Sequence, residues 1–241
     1  MTYSAVSAKI RAMQGRFLTD TDFSQLAFSD SVSAAVETLK SRPSYSCAFE
    51  AAGDGELDRS RIEQLLWLSL YRDYSSLYRF AAVSQRKFLD LYFMHFEVDI
   101  LKKCLRDAAS SRSSDLDLSI FEDFFQKHSH LDLAGLAECS SLDSFVEGLR
   151  GSFYYEPLRR LRDQGVTALF DYESALHSLY FIHLWKDMKK QLGRKELEAV
   201  SQCIGEKIDL LNLEWLSRAK EYYRLSDHAI GDFLIPVYYK L

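Results

Sequence analysis

Apolar positions along the chain recur every three or four residues. Residues 58–82 carry Ile62, Leu66, Leu70, Tyr74, Leu77 and Ala81 at that spacing, which gathers apolar side chains on one face of an α-helix. The spacing resumes at Phe88, Tyr92 and Phe96 and runs to Leu105. It returns with Leu197, Val200, Ile204, Ile208, Leu211 and Trp215. Helix starts are signalled by Thr19 or Asp20 before Phe23, by Ser31 before Ala34 and Ala35, and by Ser226 with Asp227 before Ile230, because a short side-chain oxygen can accept from the free N–H groups of a first turn. Residues 107–117 and 50–57 read as loops, and no segment alternates with the period of two that a strand requires. The expected fold class is all-α.

A segment recurs inside the chain. Ser31–Tyr45 aligned with Ser141–Tyr155 without gaps, at an offset of 110 (141 − 31), gives identities at Ser31/Ser141, Val36/Val146, Glu37/Glu147, Leu39/Leu149 and Tyr45/Tyr155. Val32/Leu142 and Lys40/Arg150 are conservative. The two stretches are expected to be equivalent helices with Val36/Val146 and Leu39/Leu149 buried. A second recurrence links Glu97–Arg106 with Asp209–Arg218: acid, two residues, Ile or Asn, Leu, then Arg at the end. Residues 7–16 keep a weaker form ending in Arg16. Arg16, Arg106 and Arg218 are thus expected to close helices that open successive repeats. Three units follow, 1–95, 96–207 and 208–241, the last shorter than its predecessors. Ile230, Phe233, Leu234, Tyr238 and Tyr239 are therefore expected to be partly exposed, disordered or covered by a neighbouring molecule.

Composition narrows the picture. Three prolines and ten glycines in 241 residues are few, which suits long helices with few breaks. A formal net charge of −5 supplies neither the basic excess that neutralises nucleic-acid phosphates nor electrostatic adhesion to anionic lipid. No window approaches the length of a membrane span, and residues 1–16 lack the apolar core of a signal peptide. The four cysteines, Cys47, Cys104, Cys139 and Cys203, are widely spaced with no C-x-x-C pair. They read as free thiols of a reducing compartment.

Candidate chemistry is sparse. Glu173/His177 and His183/Asp187 form two i,i+4 pairs on one helix, but the six-residue step between the histidines turns them to different sides, so a shared metal site is not expected. His128 and His130 lack a carboxylate or cysteine at ligand spacing. No phosphate-binding loop, dinucleotide fingerprint or nucleophile elbow occurs. The aromatic residues Phe88, Tyr92, Phe93, Phe96, Phe124/Phe125, Tyr154/Tyr155 and Tyr222/Tyr223 read as core, with Tyr238/Tyr239 a candidate exception. Lys189, Lys190, Arg194, Glu196 and Glu198 read as a solvated helix connection. No catalytic, cofactor-binding or metal residue is assigned, and partner-binding residues are unknown.

Three stretches carry a family likeness: Tyr3 with Ala8–Leu18, Asp99–Arg106, and above all Asp209-Leu-Leu-Asn-Leu-Glu-Trp-Leu-Ser-Arg-Ala-Lys-Glu-Tyr-Tyr-Arg-Leu-Ser226 leading into Leu234-Ile-Pro-Val-Tyr-Tyr-Lys-Leu241. With these the sequence resembles the C subunit of V-type ATPases and archaeal-type ATP synthases, called the d subunit in eukaryotes, in register over the whole chain. The resemblance implies similar helical bundles with long amphipathic helices around a pseudo-symmetric, funnel-like arrangement. It implies a non-catalytic coupling subunit, without cofactors, that links the central stalk to the membrane rotor ring. Its partners would be the D and F subunits of the central stalk and that ring, and its place the cytoplasmic face of the membrane, peripheral and without a span of its own. The chain departs from the family pattern by ending where the rest of a third unit is expected. The competing reading is a helical-repeat scaffold or adaptor unrelated to the ATPase.

Overall fold

The computed structural model describes residues 3–50, 57–110, 121–221, 230–231 and 234–240. Every regular element among them is helical. The chain divides into two compact units, Met1–Val83 with Asp115–Lys127, and Ser84–Ser114 with His128–Leu241.

The first unit holds α1 (Ser4–Gln14), α2 (Asp20–Ala27), α3 (Val32–Lys40), α4 (Ser46–Glu50), α5 (Arg59–Phe80) and α7 (Glu122–Phe125). Thr19 caps α2 in a reciprocal box. Its hydroxyl accepts from Asp22 N–H at 3.3 Å, and the Asp22 carboxylate accepts from Thr19 N–H at 2.8 Å. The Ser31 hydroxyl accepts from Ala34 N–H at the start of α3. Asp22 also takes the Arg42 guanidinium, which ties the capped end of α2 to the turn after α3. Val36, Leu39, Ala48, Phe49 and Leu65 form the core of this unit. A second nucleus is aromatic, with Tyr71 stacked on Phe124 at 4.4 Å and edge-on to Phe121 and Phe125.

The apolar face of α5 is rotated from the one its spacing predicts. Gln64, Leu65, Ser69, Tyr71 and Tyr74 are buried, while Leu70 is 44% exposed. The Ser69 hydroxyl donates to the Leu65 carbonyl within the helix, so it is buried without an unmet hydrogen bond. Polar residues could thus take core positions, and the leucine count alone misplaces the stripe.

The second unit holds α6 (Val83–Ser110, from Ser84), α8 (Leu133–Ala137), α9 (Leu142–Gly148), α10 (Tyr155–Asp163), α11 (Leu169–Gln191) and α12 (Arg194–Glu221). Of the predicted loop over 107–117, residues 107–110 are helical and belong to α6; 111–117 lie outside the described residues, as do 51–56 of the other predicted loop. Phe93 and Phe96 are core, whereas Tyr92 is exposed. Arg106 and Arg218 lie inside α6 and α12, and Arg16 falls just beyond α1.

The internal recurrence extends past the sequence identities. The Ser141 hydroxyl accepts from Ser144 N–H at 3.1 Å, as Ser31 does from Ala34 N–H at 3.1 Å. Val36, Val146, Leu39 and Leu149 are all buried. The same i,i+3 ion pair recurs, Glu37 with Lys40 on α3 and Glu147 of α9 with Arg150 just past its end. Further along, α6 and α12 begin 111 residues apart (194 − 83). The helices before them, α5 and α11, both stop at an extended C-cap residue, Ala81 and Leu192, whose N–H bonds the carbonyl four residues back.

Candidate functional site

The acid that opens the second recurrent motif is buried both times, and each copy holds down chain that comes later. Glu97, on α6, accepts from the Ser129 hydroxyl at 2.5 Å and from the Tyr154 hydroxyl at 2.9 Å. Burial pushes its carboxyl above the usual range, against the lowering effect of those two donors. Asp209, at the matching place on α12, accepts from Lys240 N–H at 3.1 Å through Oδ2. Its Oδ1 is buried without a hydrogen-bond partner among the described residues.

Three residues further on, the Asn212 side-chain amide makes a two-point backbone clamp. Its Oδ1 accepts from Ile235 N–H at 2.8 Å and its Nδ2 donates to Ile235 C=O at 3.1 Å. Lys240 Nζ meets Glu206 at 3.1 Å, and the Tyr239 ring lies over Gly205 and edge-on to Trp185 at 6.1 Å. Residues 234–240 form a strap across α12, and the conspicuous polar residues of the motif, Asp209 and Asn212, are the ones that bind it.

One residue departs from the expected exposure: Ile230 is buried at 3% exposure, whereas Leu234 and Tyr239 are partly exposed and Tyr238 is 82% exposed, as expected. Phe233, Tyr222, Tyr223 and the expected cap at Ser226 and Asp227 lie outside the described residues. The open apolar surface lies elsewhere on α12, at Leu210 (67% exposed) and Leu213 (48%). Their counterparts in the motif on α6, Val98 and Leu101, are fully buried. In the first unit Phe17, Phe23, Phe28 and Val32 are exposed along α1 to α3.

The histidines do not gather. Glu173 pairs with Arg106, which donates from Nε at 2.6 Å and from a terminal nitrogen at 2.9 Å, rather than with His177. His177 rests against Phe181, and burial with nearby cationic groups depresses it to about 4, so it is neutral at physiological pH. His183 stacks on Phe153 at 3.8 Å, and Asp187 approaches Lys190 instead. His128 gains a carboxylate that its local sequence lacks: Asp90, about two turns into α6, lies 3.7 Å from Nδ1. No group of three or more metal-ligating side chains occurs among the described residues. Of the charged connection, Lys189 covers the Trp185 ring at 4.9 Å.

One cavity, of about 100 Å³, opens beside Glu173. Lys102 of α6, Ser174, His177 and Ser178 of α11, and Trp215 of α12 line it, with Phe170 and Ile235 of the strap as apolar wall. Sequence reading found His177 but missed this setting. The spacing of Ser174, His177 and Ser178 on one helical face was the available signal.

Residues 6–241 match the family model of the ATP synthase (C/AC39) subunit. The chain belongs to this family. Among curated family members, the C subunit of the A-type ATP synthase of Pyrococcus abyssi is 25% identical over 97% of this chain and 60% of its own length. That of Pyrococcus horikoshii is 26% identical over the same shares, 97% and 60%. That of Methanocaldococcus jannaschii is 24% identical over 96% of this chain and 60% of its own. The chain therefore spans about 60% of the length of the family members it matches. No helix among the described residues is long and apolar enough to cross a membrane.

Proposed function

We propose that this chain is a non-catalytic coupling subunit of a rotary V-type ATPase/ATP synthase, seated on the cytoplasmic face of the membrane between the D and F subunits of the central stalk and the rotor ring. The observation that carries this reading is the family match from residue 6 to residue 241. It takes in the Asp209–Leu241 motif, whose Asp209 and Asn212 hold the strap. Long helices such as α6 and α12 suit a part that transmits torque, since packed helices resist bending. The exposed apolar residues on α1 to α3 and on α12 suit a part that docks on other proteins.

Within this reading the chain is organised as units 1–95, 96–207 and 208–241. The equivalence of Glu97 with Asp209, and the open face at Leu210 and Leu213, support a unit that begins near residue 208.

The test is a pull-down of the purified D and F stalk proteins, and separately of the detergent-solubilised rotor ring, on the immobilised chain. Retention of the ring or of the stalk proteins is expected. Failure to retain any of them under conditions where the chain is folded overturns the reading and leaves a helical scaffold of another assembly.

A further inference from the structure

The cavity beside Glu173 is rich in unused hydrogen-bond donors. The side chains of Lys102, Ser174, His177, Ser178 and Trp215 line it, and none of the five has a hydrogen-bond partner within the protein among the described residues. A serine in a helix interior commonly donates to the carbonyl four residues back, as Ser69 does to Leu65. Ser174 and Ser178 leave their hydroxyls free instead. Between them the five side chains carry an ammonium, two hydroxyls and an indole N–H, whereas acceptor capacity is limited to the serine oxygens and one imidazole nitrogen.

The one carboxylate in the wall, Glu173, is already engaged by both arms of the Arg106 guanidinium at 2.6 and 2.9 Å. Lys102 feels Asp99 and Glu173 through space, yet burial outweighs both and holds its ammonium below the usual lysine range. Burial is the main cause that lowers His177; Lys102, His95 and Lys207 add to it, and no carboxylate acts in the opposite sense. A space of about 100 Å³ has room for roughly three water molecules or one tetrahedral oxyanion, at ~30 Å³ per water.

We propose that this cavity binds a small tetrahedral oxyanion, with inorganic phosphate as the type, held by Lys102 and the hydroxyls of Ser174 and Ser178. Lys102 supplies the charge, and the two serines, one helical turn apart, supply neutral donors to adjacent oxygens. His177 stays neutral and can donate or accept according to tautomer. The site is independent of the coupling role and would stand if that reading failed.

The experiment is calorimetric titration of the full chain with sodium phosphate and, separately, sodium sulfate, against sodium chloride at matched ionic strength. One saturable site per chain is expected for the oxyanions and none for chloride. Lys102→Met and the double variant Ser174→Ala/Ser178→Ala should each weaken binding by about tenfold or more, the loss of a charge-assisted hydrogen bond or of two neutral ones. Lys189→Met, which removes a lysine over Trp185 on the same helix as the serines, should leave it unchanged. Circular dichroism checks that each variant folds; the serine pair carries the test if Lys102→Met does not. Non-saturable heats, an equal response to chloride, or affinity unchanged in the folded variants would reduce the site to an adventitious ion only and overturn the proposal.

Discussion

Asn212 spends both ends of its amide on one residue, and Ile235 is 2% exposed. Removing the amide strands the buried Ile235 N–H, while the Ile235 carbonyl keeps the Val237 N–H at 2.8 Å. Asn212→Ala should therefore cost on the order of 1–3 kcal/mol and lower the melting temperature measurably, with proteolysis in the 234–240 strap appearing before global unfolding. A variant that melts with the wild type and keeps the strap protected would show that the clamp contributes nothing. At this scale sequence was a good guide to which residues mattered and a poor guide to why. Asp209 and Asn212 stood out as motif residues on a helix, but their partners Lys240 and Ile235 lie 31 and 23 residues away. Glu173 shows the reverse case: its i,i+4 neighbour was His177, yet it bonds Arg106, 67 residues distant, because a guanidinium offers two parallel donors and a neutral imidazole one.

Among the elements, α12 carries a glycine in its interior where alanine would normally be the better helix former by about 1 kcal/mol. The reason is close approach. A Cβ on Gly205 would lie 2.6 Å or less from three ring carbons of Tyr239. Gly205→Ala should strengthen the helix yet lift Tyr239, and with it the strap, away from α12. Fluorescence of Trp185, which Tyr239 meets edge-on, reads the displacement. A melting temperature that rises with the Trp185 signal unaltered would mean that the ring accommodates the methyl group. Helix positions were legible for α5, α6 and α12, and the caps at Thr19 and Ser31 formed as expected. The phase of α5 was not legible, because which face is buried depends on Tyr71 meeting Phe121, Phe124 and Phe125, about fifty residues later in the chain.

Across the whole molecule the four free cysteines form a graded set of probes. Cys47 and Cys203 are exposed, Cys139 is partly covered and Cys104 is buried, with burial pushing its thiol up to about 12. A thiol-reactive reagent at about pH 8, near the ordinary thiol range, should label Cys47 and Cys203 rapidly in the native protein and Cys104 only when the second unit opens. Mass spectrometry of peptides after timed labelling would separate the sites. Equal rates for all four would contradict the packing of α6. Fold class, the recurrent capped helices and the family were determined by the sequence alone, because each rests on near-neighbour spacing: apolar residues every three or four positions, a hydroxyl before a first turn, and an uninterrupted motif from Asp209 to Ser226. Tertiary structure alone decided the strap, the burial of Ile230 and Glu97, the open face at Leu210 and Leu213, and the donor-lined cavity. Each of these depends on groups dozens of residues apart meeting in space, and hydrogen-bond partners and burial at that range leave no periodic signal in the chain.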